Sequence, residues 1–533
     1  MVEQFNETMT VVAYLERNAD LYGEEEALIE RDSANVSNRL CLTWRQFDDK
    51  ANRVANYLLE AGYGKGKKVA ILMYNCIEWL PIYFGVLKSG SMAVPLNFRY
   101  DSDEVLYCVE LAEVDALIFG NEFVEHVRKK LGTIDNGREL IYVGDSCPDF
   151  AGNYYELVKD AKTDRPGISI TNDDFAAIYF SSGTTGFPKA IMHKHQSLTQ
   201  SAQIEQRHHR IGREDKFLCI PPLYHTGAKF HWMGSLVAGS GAVLLKGAKP
   251  ENILSAISDE QCTIIWLLVP WTQDILDAID NGSVKLADYR LDKLWLLHIG
   301  AQPVPPALIK RWKETFPHHE YDTTYGLTES TGPNCMHLGI ENTHKVGAIG
   351  KAGWRWESKI VDEHDVPVNQ GEVGELCVKG PGVMTCYYRD PEATAKTIVD
   401  GWLHTGDMAK EDEDGFVFLV DRKKDVIVSG GENIYPVQIE NFLRANDKIR
   451  DVAVIGVPDK RLGEITAAVI EVKEECNMTL EEVNEFCEAL PRYKRPRVVF
   501  FEPVPRNATG KIEKPKLRKL HGADNIVEKE LGI

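Results

Sequence analysis

The stretch Tyr179-Phe-Ser-Ser-Gly-Thr-Thr-Gly-Phe-Pro-Lys189 decides how the rest of this sequence is interpreted. It overlaps an apolar run, residues 175–180, that is typical of a buried strand. Two glycines let the backbone turn so that successive N–H groups point into one concavity. The loop adds hydroxyl donors and one positive charge, which come from Ser181, Ser182, Thr184, Thr185 and Lys189. We therefore predict a site for a polyphosphate.

This loop is not a Walker phosphate loop, because the G-x-x-x-x-G-K-[ST] spacing is absent and Pro188 precedes the lysine. The alternative for a Ser/Thr/Gly loop is a plain surface linker. The strand in front of the loop and the lysine behind it favour nucleotide phosphate over the linker.

The chain of 533 residues exceeds what one hydrophobic core supports, so two or more domains are expected. Its composition, 44% apolar and 26% charged, is ordinary for a soluble globular enzyme. The net charge of −19 argues against general affinity for nucleic acid or for an anionic membrane.

Eleven cysteines are scattered along the chain, with no C-x-x-C pair and no clustered Cys/His ligand set. This predicts buried or half-buried thiols in a reducing compartment. The N-terminal residues lack the order of a signal peptide, and no apolar run approaches the roughly 20 residues of a spanning helix. One of the longest apolar runs, residues 263–271, predicts a core strand. We expect a cytoplasmic protein without a membrane span.

Short Val/Ile/Leu runs alternate with helical patterns through much of the first part of the chain, up to about Gly350. Buried strands are predicted at residues 68–74, 115–120, 140–143, 263–269 and 294–299. Residues 79–87 and 306–316 predict amphipathic helices. Strands that alternate with helices favour mostly parallel sheets covered on both faces.

Beyond Gly350 the pattern changes, and residues 358–428 alternate short strands with turns. This predicts an antiparallel, barrel-like unit. Its acidic turn, residues 411–415, has part of the spacing of a calcium loop. Lys410 in the first ligand position and Asp421 in the last favour a hairpin turn instead.

After Arg422 the pattern becomes that of a small α+β domain. Pro436 opens a helix, and further elements are predicted as strands at 452–457 and 467–472, a helix from Leu480 and a strand at 498–501. The predicted boundary lies within residues 421–425, which divides the chain into domains at 1–423 and 424–533.

Four further clusters carry side chains suited to a nucleotide. Tyr325-Gly-Leu-Thr-Glu-Ser330 offers a flat ring, a glycine for close backbone approach, a hydroxyl and a carboxylate for a metal. Gly300-Ala-Gln-Pro303 leaves room for a planar ring, and the carboxylate of Trp402-Leu-His-Thr-Gly-Asp407 can accept both hydroxyls of a ribose. Pro505-Arg-Asn-Ala-Thr-Gly-Lys511 presents a lysine on a tight turn.

Each cluster taken alone has a simpler interpretation. Asp407 can cap a turn, Glu329 can be a solvated acid, and Lys511 can be one of many surface lysines. The order and spacing of the clusters along one chain favour the functional interpretation of all three.

Together these segments resemble the adenylate-forming superfamily of acyl- and aryl-CoA synthetases, nonribosomal adenylation domains and beetle luciferase. The resemblance covers nearly the whole chain, residues 42–514. The ordered motifs are Ser182-Gly-Thr-Thr-Gly-Phe-Pro-Lys189, Pro222-Leu-Tyr-His225, Tyr325-Gly-Leu-Thr-Glu329, Thr405-Gly-Asp407, Asp421-Arg422, Gly430-Gly-Glu-Asn-Ile-Tyr-Pro436 and Gly510-Lys511. The phosphate loop reads Ser-Ser-Gly where Thr-Ser-Gly is common in the family, which keeps the hydroxyl.

The resemblance implies an α/β fold. Its large N-terminal domain would have two mixed, mostly parallel sheets with flanking helices plus a small β-barrel, and its small α+β C-terminal domain would be mobile. The implied enzyme activates a carboxylic acid with ATP and Mg²⁺, giving an acyl-adenylate and pyrophosphate. The thiol of coenzyme A then displaces AMP. Oligomeric state stays open, with a homodimer among the options.

The resemblance also implies a role for each matching residue. Phosphate binding would fall to Ser181, Ser182, Gly183, Thr184, Thr185, Gly186 and Lys189. The adenine would lie against Tyr325 and Gly326, beside Gly300, Ala301 and Gln302. Asp407 and Arg422 would bind the ribose, Glu329 would hold Mg²⁺, Thr328 would contact the α-phosphate, and His225 would gate the acyl pocket.

The C-terminal residues complete this assignment. Lys511 would stabilise the negative charge that develops as the adenylate forms. The small domain would then rotate about a hinge at Lys424, because Lys511 and the coenzyme A site cannot both be productive if they occupy opposite faces of that domain. After rotation the pantetheine tunnel would be lined by Gly430, Gly431 and Glu432.

The acyl pocket would lie between two segments, formed by Gly227, Lys229, Phe230, Trp232 and Met233 and by Ser330, Thr331 and Pro333. Their largely apolar side chains predict a hydrophobic acid, with Lys229 as a pocket or a surface residue. Residues 401–407 and 429–433 look most like fatty acyl-CoA and carnitine- or crotonobetaine-CoA ligases, while aryl-, arylpropenoate- and bile-acid-CoA ligases are alternatives.

Other rivals are a module that loads a carrier protein and a luciferase-like oxygenase. The lack of an attached carrier domain favours coenzyme A. A non-catalytic homologue is disfavoured because the polar motif residues are all present.

Overall fold

A computed structural model describes residues 9–31, 39–131, 137–181, 188–300, 304–336, 340–506 and 512–522. The α-helices in these residues are α1 (Val11–Tyr22), α2 (Trp44–Glu60), α3 (Trp79–Lys88), α4 (Ser102–Leu111), α5 (Val124–Lys130), α6 (Tyr154–Val158), α7 (His195–His208), α8 (Thr226–Ala238), α9 (Pro250–Glu260), α10 (Val269–Asp280), α11 (Pro306–Thr315), α12 (Pro391–Thr397), α13 (Pro436–Leu443), α14 (Leu480–Phe486) and α15 (Lys514–His521).

The strands of the first part of the chain are β1 (Glu26–Arg31), β2 (Arg39–Thr43), β3 (Lys68–Leu72), β4 (Met92–Pro95), β5 (Ala116–Gly120), β6 (Glu139–Val143), β7 (Gly152–Asn153), β8 (Phe175–Ser181), β9 (Lys189–Lys194), β10 (Lys216–Cys219), β11 (Gly241–Leu245), β12 (Ile264–Leu268), β13 (Leu296–Gly300) and β14 (Glu320–Asp322).

The later strands are β15 (Thr324–Leu327), β16 (Gly332–Met336), β17 (Lys351–Ala352), β18 (Glu357–Val361), β19 (Gly374–Lys379), β20 (Cys386–Tyr387), β21 (Ile398–Val399), β22 (Trp402–Glu411), β23 (Val417–Arg422), β24 (Ile427–Ser429), β25 (Glu432–Ile434), β26 (Ile449–Asp459), β27 (Gly463–Val472) and β28 (Val498–Phe501).

Two large mixed sheets form the N-terminal part, as the alternation of strands and helices predicts. One has the strand order β20-β9-β8-β4-β3-β5-β6-β7, and the other β14-β13-β12-β10-β11-β1-β2. Most neighbours are parallel, while the hairpins β8–β9 and β1–β2 and the pair β9–β20 are antiparallel. The apolar runs bury nearly every residue of β3, β5, β12 and β13, because helices cover both faces of such sheets.

A shared apolar core joins the elements of both large sheets. At its centre the rings of Phe47, Phe84 and Trp232 lie 5.6–6.0 Å apart between centroids. Helix α7 lies close to α8, since a Cβ added at Gly234 would stand 3.0 Å from the Cβ of Glu205. Helix α8 also packs against β10 and β11, two interior strands of the second sheet.

Two predicted elements differ from the structure. The amphipathic helix expected at 79–87 is α3, but all ten of its residues are buried. Its Lys88 is accommodated inside by the Asp48 carboxylate at 2.6 Å and the Asn52 side-chain oxygen at 2.5 Å. The core strand expected over 263–271 ends at Leu268, and Val269 begins α10. Pro270 fits there because the first turn of a helix does not need its missing N–H.

The antiparallel unit predicted after Gly350 is present. It contains β18, β19, β21, β22 and β23, and a bridge between Gly350 and Val417 links it to the small sheet β15-β16-β17. The acidic turn joins β22 to β23 as a hairpin, which confirms the hairpin interpretation. Lys345 pairs with its Asp412 at 2.7 Å and its Asp414 at 2.6 Å.

The C-terminal part is α+β, with the strand order β25-β24-β27-β26 and β28 paired to β27. Strand β28 matches its predicted bounds, and helices α13 and α14 pack on a separate apolar core. This core contains residues from β24 to α14 and none from the large sheets.

Two expectations about composition can also be compared with the structure. All eleven cysteines are free, and ten are buried or half-buried, whereas Cys147 is exposed and departs from the prediction. Among the described residues, we find no helix long and apolar enough to cross a membrane.

Candidate functional site

The predicted phosphate loop starts and ends on neighbouring strands. Ser181 is the last residue of β8, Lys189 is the first of β9, and the two pair across the hairpin. The predicted phosphate ligands Ser182, Gly183, Thr184, Thr185 and Gly186 lie outside the described residues. The two described ends therefore fix where the loop leaves and re-enters the sheet.

Glu329 receives hydrogen bonds beside this loop. The Ser181 hydroxyl donates to Glu329 Oε1 over 3.3 Å, and the Tyr387 hydroxyl donates to the same oxygen over 3.0 Å. Lys189 Nζ lies 4.4 Å from the centroid of the Tyr387 ring. Glu329 is half-buried and accepts two hydrogen bonds, so it is not simply a solvated acid.

Tyr387 was missed by the sequence reasoning. It comes from β20, which pairs with β9 so that Tyr387 lies opposite Ile191. The only signal in the sequence is the aromatic pair Tyr387-Tyr388 that follows a glycine-containing turn. An aromatic pair is more often core than site, which explains why it carried no prediction.

Asp407 is the centre of a second polar group. It stands directly opposite Arg422 in the β22–β23 pairing, and Arg422 Nε lies 3.0 Å from Asp407 Oδ1. The Tyr325 hydroxyl donates to Asp407 Oδ2 over 2.5 Å. Asp407 is only 4% exposed, so the interpretation of this residue as a turn cap is wrong.

This arrangement changes the proton affinities of both partners. The Asp407 carboxylate raises the pKa of Arg422, which keeps the guanidinium charged. Burial, with the Asp407 charge as the next cause, raises the pKa of Tyr325 well above its ordinary value and keeps the phenol protonated as a donor. A carboxylate has about four lone-pair sites, so Asp407 retains acceptor capacity for further hydroxyl groups.

Gly326 has a clear steric reason to be glycine. A Cβ at this position would stand 1.8 Å from the carbonyl oxygen of Gly332 on the adjacent strand β16. The sequence suggested that Gly326 gives a ligand close access to the backbone. The close neighbour in the described structure is β16 itself.

Thr328 begins a short 3₁₀ turn, Thr328–Ser330, which His193 holds in place. His193 Nε2–H donates to the Thr328 carbonyl over 2.9 Å. Burial lowers the pKa of His193 to about 3, so the ring is neutral, and its Nδ1 lies 2.8 Å from the Thr331 hydroxyl oxygen. His193 was not predicted, because nothing in the sequence around β9 distinguishes it from a buried core histidine.

The residues predicted around the acyl pocket are described, whereas those predicted beside the adenine are described only in part. His225 is the residue before α8, Gly300 ends β13 as expected, and Ala301 and Gln302 lie outside the described residues. Gly227 lies against Trp266, since a Cβ there would stand 3.3 Å from Trp266 Cη2.

Lys229 is fully buried, which corrects the surface alternative. Its ammonium lies 4.0 Å from the centroid of Tyr179 and 4.7 Å from that of Tyr83. Burial lowers its pKa well below the ordinary value of a lysine. Aromatic faces thus surround a lysine that the sequence left undecided.

The predicted hinge residue Lys424 lies in the 3₁₀ turn Lys423–Asp425. Burial lowers the pKa of Lys424. The turn is tied to the C-terminal part by the Arg518–Asp425 ion pair at 2.6 Å. Asp421, just before it, accepts from the backbone N–H of Val437 over 2.7 Å.

Gly430 and Gly431 form the two-residue turn between β24 and β25. Their φ angles are +60° and +89°, and Ser429 pairs with Glu432 across the turn. Positive φ at both central residues is what a type I′ hairpin requires, so the Gly-Gly pair has a local structural cause. Lys511 lies outside the described residues.

The fold brings together histidines that are far apart in the sequence. The sequence shows no clustered Cys/His ligand set, yet ring nitrogens of His209, His231 and His298 lie within 4.8 Å of one another. These histidines are separated by 22 and 67 positions in the sequence (231 minus 209 and 298 minus 231), so no spacing rule detects them.

Comparisons with known proteins support the family that the sequence motifs predicted. A model of the AMP-binding enzyme family matches residues 15–388, and a model of the AMP-binding enzyme C-terminal domain matches residues 438–511. The chain is 31% identical over 486 residues to the long-chain-fatty-acid–CoA ligase FadD13 of Mycobacterium tuberculosis, with 90% of this chain and 93% of that protein covered.

A second relative and a solved structure extend the likeness. Over 521 residues the chain is 29% identical to the crotonobetaine/carnitine–CoA ligase of Escherichia coli, with 94% of this chain and 97% of that protein covered. The crystal structure of ATP-bound MatB from Rhodopseudomonas palustris superposes with a TM-score of 0.85 at 26% identity. It covers 96% of this chain and 99% of MatB.

Proposed function

This chain belongs to the family of AMP-binding enzymes, and we propose on that basis that it is an ATP-dependent acid–thiol ligase. Such an enzyme first joins a carboxylate to the α-phosphorus of ATP and releases pyrophosphate. The coenzyme A thiol then attacks the acyl carbonyl and releases AMP. A carboxylate needs this activation because its oxygen is a poor leaving group.

The observation that carries the proposal is the convergence of motif residues on two neighbouring polar groups. Lys189, Ser181 and Glu329 lie where β8 ends and β9 begins. Tyr325, four residues before Glu329, meets Asp407 and Arg422. Nucleotidyl transfer depends mainly on positioning and charge neutralisation, which such groups provide.

We assign the nucleotide's parts to these groups. Asp407 accepts hydrogen bonds from the ribose hydroxyls, and Arg422 orients the carboxylate that does so. The adenine lies along the Tyr325–Gly326 strand beside Gly300, with Ala301 and Gln302 completing the wall. Thr328 contacts the α-phosphate, and Lys189, with the loop residues 182–186, binds the β- and γ-phosphates.

Mg²⁺ fits the donor set at Glu329. This carboxylate is half-buried and offers hard oxygen ligands, while Mg²⁺ usually keeps waters and takes its remaining ligands from substrate phosphates. The bound ion would neutralise phosphate charge. Ser181 and Tyr387 position the carboxylate by donating to Oε1, so that Oε2 stays available.

We further propose that the small domain begins at residue 424 and rotates between the two half-reactions. Lys511 serves the first half-reaction, and Gly430, Gly431 and Glu432 line the pantetheine path in the second. The Asp421–Val437 contact crosses the hinge at Lys424 and must break when the small domain rotates. The Arg518–Asp425 ion pair lies within that domain and moves with it.

The acid substrate is proposed to be hydrophobic, of the fatty acyl or carnitine/crotonobetaine type, with His225 at the entrance of its pocket. Phe230 and Trp232 of α8 are buried, which supports an apolar wall. Aryl-, arylpropenoate- or bile-acid substrates, or transfer to a carrier protein, are the alternatives. A cytoplasmic location and a homodimer remain predictions, which cell fractionation and light scattering test.

The central experiment separates the two half-reactions. Lys511→Ala should abolish ATP–pyrophosphate exchange while thioester formation from a supplied acyl-adenylate continues, because the lysine acts only where the adenylate forms. Lys516→Ala on the exposed face of α15 serves as the matched control. Equal loss of both half-reactions in Lys511→Ala would reject the assignment.

The hinge is tested by the opposite pattern. Lys424→Pro should retain pyrophosphate exchange and lose thioester formation, since proline fixes φ in the turn. Lys424→Ala keeps backbone freedom and is the control. Normal thioester formation in the proline variant would remove the hinge. AMP release from a panel of acids, with and without coenzyme A, then identifies the substrate and the acceptor.

A further inference from the structure

Histidines far apart in the sequence meet inside the large domain. With two carboxylates they form what we term the histidine cluster, which consists of Glu205, His208, His209, His231, His298 and Asp322. Its residues come from α7 and the position after it, from α8, and from β13 and β14. The proposed ligase reaction uses none of these side chains.

The donor atoms are spaced like ligands of one ion. His209 Nε2 lies 3.1 Å from His298 Nδ1 and 3.3 Å from Asp322 Oδ2. Tetrahedral zinc has Zn–N and Zn–O bonds of about 2.0–2.2 Å, which puts its ligand atoms roughly 3.3–3.5 Å apart. Ring nitrogens of His209, His231 and His298 lie within 4.8 Å of one another. Donor atoms of His208, His209 and Asp322 form a second group of this kind, and His209 belongs to both.

The second nitrogen of each imidazole is also held. The three outer contacts are His209 Nδ1 to Glu205 Oε2 at 3.1 Å, His231 Nδ1 to the Gly227 carbonyl at 2.9 Å, and His298 Nε2 to the Thr324 hydroxyl at 3.4 Å. Metal-binding histidines usually have such an outer acceptor, which fixes the ring and the tautomer. The cluster therefore has both the inner donors and the outer supports of a metal site.

The burial and the charge of the two carboxylates also favour a bound metal ion. Glu205 is 0% and Asp322 1% exposed, and carboxylates are rarely buried this deeply unless paired or bound to a metal. Two such negative charges are neutralised by one dication. Imidazole and carboxylate donors suit zinc, and a site with four protein ligands and no solvent face is structural rather than catalytic.

We propose that the histidine cluster binds one structural zinc ion through His209, His231, His298 and Asp322, with Glu205 as the positioning residue behind His209. The ion cross-links α7, α8, β13 and β14. Because Asp322 lies three residues before Tyr325, the ion also anchors the chain that leads into the nucleotide site.

The decisive test uses full-length protein purified without a polyhistidine tag. After chelator treatment and gel filtration, the protein is reloaded with Zn²⁺ or Co²⁺ alone. We expect about one metal ion per chain by mass spectrometry, and the intense visible absorption of tetrahedral Co²⁺. Metal content near zero after reloading, or the weak spectrum of octahedral Co²⁺, would overturn the proposal whatever the variants do.

Three variants locate the ion. His298→Asn and Asp322→Asn should lose most of the bound metal, and Glu205→Gln should weaken zinc binding by about 10- to 100-fold while retaining one site. His319→Asn is the matched control, because His319 is also buried, at 5% exposed, but packs against Phe316 and Trp312 outside the cluster. Unchanged zinc affinity in folded His298→Asn, judged by circular dichroism, would contradict the proposed ligand set.

Discussion

Two buried polar assemblies in the same domain can be compared. The first, the Asp407 group, consists of Tyr325, Asp407 and Arg422, and the second is the histidine cluster. Their residues are distributed differently along the chain. Tyr325 and Asp407 each adjoin a glycine in a short motif, and Arg422 follows Asp421 in another. Strand pairing sets Asp407 opposite Arg422, and the Tyr325 hydroxyl donates to Asp407. The histidines stand in apolar or helical stretches without such neighbours. The comparison teaches that local chain chemistry marks the proposed nucleotide site, whereas the proposed metal site is marked only by tertiary contact.

If the comparison is right, the Asp407 group governs nucleotide affinity. Asp407→Ala removes the ribose acceptor and leaves Arg422 without its partner, so we expect kcat/KM for ATP to fall roughly 100-fold or more, about 3 kcal/mol. Asp412→Ala, at the far end of the same β22–β23 hairpin, is the control for hairpin stability. Pyrophosphate-exchange kinetics over a range of ATP concentrations measure both.

The histidine cluster should govern stability instead. Glu205→Gln leaves His209 and His231 without their buried carboxylate, and we expect a loss of about 3 kcal/mol in unfolding free energy. The KM for ATP should change less than about twofold, because no cluster residue touches the nucleotide. A large change in the KM for ATP with unchanged thermal stability would show that the histidine cluster affects nucleotide binding and not stability.

Asp421 lies at the proposed domain junction, where its ionisation should make stability depend on pH. Burial raises its pKa to about 6, above the ordinary 3.8 of an aspartate. Its folded-state pKa exceeds the unfolded one, so its contribution to stability is fully present below about pH 4 and is lost as pH rises through about 6. We expect a decrease of roughly 2–3 kcal/mol across this window.

Asp421→Asn should flatten this part of the stability profile, which denaturant titrations at several pH values can measure. The same pH slope in the variant would show that other groups cause it. The Asn side chain keeps one acceptor for the Val437 N–H, so the junction should remain folded.

The smallest effect is expected at Tyr387. Tyr387→Phe removes one hydrogen bond to Glu329 but keeps the ring beneath Lys189, so activity should fall about fivefold, near 1 kcal/mol. Tyr388→Phe, whose hydroxyl bonds to Glu113 at the surface, is the matched control. Raising the Mg²⁺ concentration should partly restore Tyr387→Phe if the lost bond only positions the carboxylate.

Much of the fold follows from local pattern. Apolar runs and turn residues predicted β3, β5, β6, β8, β13, α11 and β28 within a few residues, since burial between helices demands continuous apolar strands. The exceptions are α3, which is buried on every side, and the run after β12, where Pro270 starts a helix. In both cases periodicity alone cannot separate a buried helix from a strand or an amphipathic helix.

The sequence alone identified six residues of the candidate site, because each belongs to a short motif. They are Ser181, Lys189, Glu329, Tyr325, Asp407 and Arg422. Tyr387 and His193 were not found, since neither belongs to a motif and only packing brings each to its partner.

The sequence by itself therefore determined the class of fold and the family, because strand burial and the family motifs depend on residues a few positions apart. Tertiary structure alone decided that Lys229 is buried, that Tyr387 supports Glu329, and that the histidines meet. These depend on which helices and strands pack together, and packing joins residues without regard to their separation along the chain.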